Sequence, residues 1–320
     1  MAVLCEQAFK RRSRPVDTGD MPEPLKIPAS APLAAARHDL GLALQQPHLA
    51  LRPLPLPAVA LRVTQMAEED AAAAVLAGLI QKDPGLAAQI IKVANSALYA
   101  RRSPVTSLQQ AISWLGIAEV RKLAVSCALH AQLFAGKSAE RALAPVWAES
   151  LASANFAQEI ARLRRRSVEP AYLCGLLHRG GYASLIQTLA ANKTHAGLLA
   201  DGSAVAELAA EFEAPLAQFL AKDWGLPDVV AVGLRYWRTP GDPQALQLAK
   251  PSRLALLEIV LARVLSAQLQ VAAAVASDAI PPELASAAAP IIEELGIYQD
   301  DIATLWSKRE FVINSVESLK

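Results

Sequence analysis

From residue 58 onward, apolar side chains recur at three- and four-residue spacing, the period of helices that turn one face to a core. Polar and turn-forming residues cut this pattern into predicted helices over 58–68, 71–81, 84–98, 107–114 and 117–134. Asp70 is placed to cap the second helix. Asp83-Pro84 supplies a cap and a proline at the first helical position of the third, Thr106 or Ser107 starts the fourth, and Gly116 separates the fourth from the fifth. A second set is expected at 140–164, 169–191, 203–222 and 227–238, with turns at Gly202, Gly225-Leu226-Pro227 and Pro240-Gly241-Asp242-Pro243. The tail predicts helices near 244–276, open to interruption at Pro251, then 282–295 and 298–316. Short alternating runs fall inside helical periodicity, so no strand is expected and the fold class is all-α.

The ends read differently. Residues 1–32 combine Lys10-Arg11-Arg12 and Arg14 with Pro22, Pro24, Pro28 and Pro32, which suits a mobile arm. A short helix is expected at 33–46, stopped by Pro47. The alternating prolines from Arg52-Pro53 to Pro57 then favour an extended strap. The expected organisation is an arm at 1–52, a main domain at 53–275 and C-terminal helices at 276–320. Within the main domain, 53–134 forms a first helical lobe and 140–240 a second, making a two-lobed bundle.

Composition agrees with this picture. Of 320 residues, 53% are hydrophobic and only 5% aromatic, so the core is built from Ala, Leu, Val and Ile. The net charge of +1 supplies no global field toward nucleic acid or an anionic membrane. Cys5, Cys127 and Cys174 are odd in number and lack metal spacing, which fits a reducing, cytoplasmic setting. No signal peptide is read at 1–14. The apolar run at 254–276 carries Glu258, Arg263, Gln268 and Gln270, and is read as a buried helix instead of a membrane span.

The most specific signal lies in the first lobe. In order come Leu54-Pro55-Leu56-Pro57, then Leu79-Ile80-Gln81-Lys82-Asp83-Pro84-Gly85-Leu86, Val93-Ala94-Asn95-Ser96-Ala97-Leu98-Tyr99, and Gln110-Ala111-Ile112 with Leu115-Gly116. This set resembles the HDOD (HD-related output domain) family, a degenerate relative of the metal-dependent HD phosphohydrolases. The resemblance marks Asp83, Pro84, Asn95, Ser96 and Gly116 as family-motif positions. Read as residues alone, Asp83 is a cap, and Asn95 and Ser96 serve backbone groups at the turn toward Arg101. Arg101 and Arg102 beside Tyr99 read as a solvated loop.

In the second lobe, the resemblance aligns the chain with the metal site of HD phosphohydrolases. There a His, an adjacent His-Asp pair and further ligands hold divalent cations that activate water. Here the corresponding positions are Glu149, then His178 with Arg179 in place of the Asp, then Glu213, then Tyr236 and Trp237 in place of a His pair. An Arg beside a dication costs several kcal/mol, by about 332/(εr) per charge pair at an effective ε near 20. The expectation is therefore a scaffold with no catalytic residues, no cofactor and no metal. Glu149 and Glu213 would lie on polar helix faces or pair with Arg179, and His178 would be a satisfied core residue. The alternative is that Glu149, His178 and Glu213 still gather a metal and retain phosphohydrolase activity on a nucleotide or cyclic dinucleotide.

The run Arg162-Leu163-Arg164-Arg165-Arg166 is the densest basic cluster outside the arm, and reads as a helix C-terminus whose cations complement the macrodipole. Neither a nucleic-acid nor a membrane partner is expected. The resemblance implies a bacterial signal-transduction protein, with one or more protein partners in a signalling pathway. HDOD proteins are associated with motility, biofilm, cyclic-di-GMP and stress outputs, often fused to receiver or cyclase domains, and no such domain is read in this chain.

Overall fold

The computed structural model describes residues 31–45, 58–65, 73–99, 102–134, 137–275 and 282–319, and every regular element among them is helical. The N-terminal basic cluster, the Pro53–Pro57 strap, the Asp70 cap and Arg101 lie outside the described residues. An N-terminal helix, α1 (Ala31–Gln45), precedes the first set: α2 (Ala58–Gln65), α3 (Ala73–Ile80), α4 (Pro84–Ala94), a 3₁₀ turn at Ala97–Tyr99, α5 (Leu108–Leu115) and α6 (Ile117–Leu133). The boundaries follow from local chemistry. Asp83 accepts from Leu86 N at 3.0 Å with Pro84 in the first turn, and Ser107 accepts from Gln110 N at 3.2 Å. Gly116 takes φ +83°, a conformation that L side chains resist, so α5 ends and α6 begins at that residue.

The helix predicted over 84–98 stops at Ala94, because Asn95 turns its side chain to the backbone. Its Nδ2 donates to Ile91 O at 3.0 Å and Val105 O at 2.8 Å, and its Oδ1 accepts from Val105 N at 2.7 Å. One side chain thus ends the helix and pins the 102–107 loop. Ser96 is a half-buried neighbour whose hydroxyl finds no partner.

The second set is built around α7 (Lys137–Leu163), which packs against α8 (Val168–Leu177) and α13 (Lys250–Val275). Between them in sequence lie α9 (Gly180–Ala191), a 3₁₀ turn at Ala196–Ala200, α10 (Gly202–Asp223), α11 (Asp228–Tyr236) and the short α12 (Pro243–Leu246). The C-terminal helices are α14 (Pro282–Leu295), α15 (Gln299–Ser307) and α16 (Arg309–Ser318). α16 packs on α7 and on the Ala97–Tyr99 turn, so the C-terminus bridges both helical sets. A single apolar cluster runs from Ala60 on α2 through Phe156 and Ile160 on α7 to Trp306 on α15. Arg121 stitches the sets together at 4% exposure, donating to Val63 O and pairing with Glu169 on α8 at 3.0 Å.

Three predicted helices are divided. The segment 244–276 breaks between α12 and α13 ahead of Pro251, and 298–316 breaks at Lys308. The most consequential division is in 169–191, where His178 and Arg179 form the joint between α8 and α9. Glycines on either side explain it. A Cβ on Gly175 would lie 2.5 Å from the Ala154 Cα of α7, and one on Gly181 would lie 2.0 Å from the Glu213 carbonyl oxygen of α10. Each half therefore makes its own close backbone contact, and the helix is interrupted at the two residues between them.

Candidate functional site

The α8–α9 joint carries His178 and Arg179 into the space between α7, α10 and α13. Glu149 comes from the middle of α7 and Glu213 from the middle of α10. Gly181 lets α9 lie directly on the Glu213 backbone, and Pro215, two residues further on, removes an N–H that would bond the Glu211 carbonyl. Glu213 is 2% exposed, deeper than a carboxylate is found without partners.

Its partners are arginines. Arg179 Nε donates to Glu213 Oε1 at 2.9 Å while Arg179 Nη1 donates to Glu149 Oε2 at 3.0 Å, so one guanidinium bridges both carboxylates. Arg238 covers the other Glu213 oxygen at 2.8–2.9 Å, and Arg263 of α13 reaches Glu149 Oε1 at 3.3 Å. Trp237 lies beneath this layer. The guanidinium carbons of Arg238 and Arg263 are each 4.6 Å from its ring centroid, and that of Arg179 is 5.3 Å away. Tyr182 gives Arg179 a second aromatic face at 4.6 Å.

His178 is fully buried. Its Nδ1 is 2.7 Å from Gly175 O, its ring meets Trp237 edge-on at 5.1 Å, and its Nε2 has no hydrogen-bond partner. That nitrogen faces Glu149 Oε1 at 3.8 Å, too long for a hydrogen bond. Burial raises the Glu149 pKa, but the His178 ring and the Arg179 and Arg263 guanidiniums outweigh it and bring the carboxyl down to about 2.

The structure therefore brings together Glu149, His178, Arg179, Glu213 and Trp237. Tyr236 does not join them. It packs with Ala245, Leu256 and Val260, and its hydroxyl donates to Gln244 Oε1 at 3.0 Å. Adjacent residues at a helix end are about 100° apart around the axis, so Trp237 and Tyr236 face different neighbours. Of the positions that the resemblance aligns with the HD site, Tyr236 is therefore the one that lies apart from the cluster. Arg238 and Arg263 are members that motif alignment overlooks, though a cation next to Trp237 and another inside the apolar run at 254–276 are visible signals.

This donor set does not fit a divalent metal. The two carboxylates are already bridged by a guanidinium, and His178 is the one imidazole in the cluster. No group of three or more His, Cys, Asp or Glu among the described residues could hold a metal ion. The charges of three arginines and two carboxylates leave the cluster net positive, which opposes a further cation.

Elsewhere, the basic run after α7 is largely absorbed. Arg162 pairs with Glu159, Arg164 with Glu258 at 2.6 Å, and Arg166 reaches both Glu258 and Pro251 O. Burial holds the Glu258 carboxyl above its ordinary value, and Arg166 and Arg164 oppose that rise only in part. Cys127 and Cys174 are buried free thiols. Among the described residues, no helix is long and apolar enough to cross a membrane.

No curated protein matches the chain. Among solved structures, one from Shewanella amazonensis SB2B, provisionally named a metal-dependent phosphohydrolase, shares 20% identity at a TM-score of 0.64. The match covers 90% of this chain and 99% of that one. An HDOD domain protein of unknown function from Geobacter sulfurreducens shares 21% identity at a TM-score of 0.63, over 88% and 98% of the two chains. A provisionally named signal transduction protein from Marinobacter aquaeolei VT8 shares 23% identity at a TM-score of 0.59, over 90% and 66%. At these identities the likeness speaks for the fold. The family model of the HDOD domain matches residues 54–240, more than half of the chain and the stretch from α2 through α11, so the chain belongs to the HDOD family.

Proposed function

We propose that this chain is a non-catalytic signal-transduction module that acts in the cytoplasm by docking other proteins. Membership in the HDOD family and the likeness to a signal-transduction protein fit a regulatory role. The observation that carries the non-catalytic part is the bridging of Glu149 and Glu213 by Arg179. A guanidinium stays protonated at all physiological pH values, so it remains ion-paired with both carboxylates and neither donates nor accepts a proton. With Trp237, Tyr182, Arg238 and Arg263 packed around it, Arg179 makes the former reaction centre a structural keystone between α7, α9, α10 and α13.

Two measurements test the reading. Purified full chain, supplied with Mn²⁺ or Mg²⁺, is expected to leave mononucleotides and cyclic dinucleotides intact; turnover that His178→Ala abolishes would instead establish a phosphohydrolase. Affinity capture from the native host under mild salt is expected to recover a stoichiometric protein partner, and failure to recover one would count against the docking role.

A further inference from the structure

Helix α1 does not belong to the main core. Leu33, Ala36, Leu40 and Ala43 recur at 3-4-3 spacing and enter a separate apolar cluster made with α9, the Ala196–Ala200 turn and α10. The receiving groove is lined by Leu185, Leu189, Leu198, Leu208, Phe212 and Leu216. Its rim is charged to match. Arg37 donates to Glu211 at 2.9 Å and to Glu207 at 3.2 Å, and Asp39 meets His195 Nε2 at 2.8 Å on the other side. We propose that this groove is a helix-docking site, held in cis by α1, whose partner in trans is an amphipathic helix of the same chemistry. That helix would carry a 3-4-3 apolar stripe, a cation facing Glu207 and Glu211, and an acid facing His195.

The hold of α1 is slight enough to exchange. Its buried stripe is two leucines and two alanines with Leu44 half-buried beside them, and the rim pairs are half exposed on the acidic side, where ion pairs contribute little. The groove also touches the arginine cluster. Tyr182 packs on the groove while Arg179 stacks on its ring, and Glu211, Phe212 and Glu213 serve the rim, the groove and the cluster in succession along α10. Occupancy of the groove is thus in direct contact with the keystone. The inference rests on the docking reading and names the chemistry of its partner.

A fluorescent peptide with the sequence of residues 30–46 is the probe. In wild-type full chain, α1 competes in cis at an effective concentration that reaches the millimolar range for short linkers, whereas Leu33→Asp with Leu40→Asp frees the groove. The freed chain is expected to bind the peptide about tenfold or more tighter than wild type. Adding Glu207→Arg and Glu211→Arg should weaken that binding about tenfold by setting like charges against Arg37, and an Arg37→Glu peptide should restore it. Independently of any variant, millimolar peptide added to wild type should speed hydrogen exchange in α1 and leave α10 protected. Equal affinity for wild type and the freed chain, indifference to the charge swap, or unchanged α1 exchange would overturn the inference. Should the full chain still capture a protein partner, the docking reading would stand and only this groove would be withdrawn.

Discussion

Arg179 and Glu213 are joined by side chain and by backbone: the guanidinium donates to the carboxylate at 2.9 Å, and two residues after Arg179 a glycine lies so close that a Cβ would sit 2.0 Å from the Glu213 carbonyl oxygen. Arg179, which the family resemblance aligns with the acid of an HD pair, is therefore also held where it can meet the buried carboxylate. Substitution and packing act on the same point.

Removing the guanidinium should expose what it compensates. Arg179→Ala leaves Glu149 with the longer Arg263 contact and Glu213 with the half-exposed Arg238, and is expected to cost about 3 kcal/mol in urea denaturation, as breaking one side of a buried pair does. Arg179→Lys should recover less than half, because an ammonium lacks the fork that reaches both carboxylates. A loss below about 1 kcal/mol for Arg179→Ala would show that the bridge is incidental.

Acid should weaken the protein through Glu149. Its folded pKa of about 2 lies below the ordinary 4.5, so between these values the unfolded state binds more protons and stability rises with pH. The contribution is complete above about pH 5 and is lost as pH falls toward 2. It amounts to about 3 kcal/mol at most, less with the side chain 24% exposed. Denaturation curves from pH 2 to 6 should show this slope in wild type and a shallower one in Glu149→Gln.

Gly181→Ala tests the backbone contact. The added methyl meets a carbonyl oxygen and not the end of a flexible side chain, so α9 and α10 must separate. A loss of about 3 kcal/mol is expected, at the upper end for overpacking, despite the gain in helix propensity. Gly41→Ala, with open space around its Cβ, should be neutral or mildly stabilising, and unfolding by denaturant compares the two directly.

Asn95→Ala should act locally. It deletes three hydrogen bonds and leaves Val105 without partners for its N–H and C=O, which predicts a loss of about 2 kcal/mol and faster hydrogen exchange at 102–107. Asn95→Asp keeps the acceptor for Val105 N but not the two donors, and should fall between wild type and Ala.

Local chemistry made much of the fold readable in advance. The Asp83-Pro84 cap and the Gly116 break are decided by neighbours in sequence and stand where periodicity and turn residues set them, while of Thr106 and Ser107 it is Ser107 that caps α5. The division of 169–191 was not readable, because Gly175 and Gly181 matter only once α7 and α10 lie against them. The same reason separates the site residues. Glu149, His178, Arg179 and Glu213 could be aligned by their motif surroundings, whereas Arg238 and Arg263 enter through helix crossings. Tyr236 and Trp237 are neighbours in sequence, yet the end of α11 turns only Trp237 toward the cluster.

The most direct measurement is calorimetric titration of Mn²⁺ into purified full chain at neutral pH, beside Arg179→Asp, which creates a His-Asp pair next to Glu149 and Glu213. Wild type is expected to show no saturable binding, and the variant, where it folds, to gain a site. Stoichiometric binding by wild type that His178→Ala removes would contradict the account, because a metal would then hold the position assigned to Arg179.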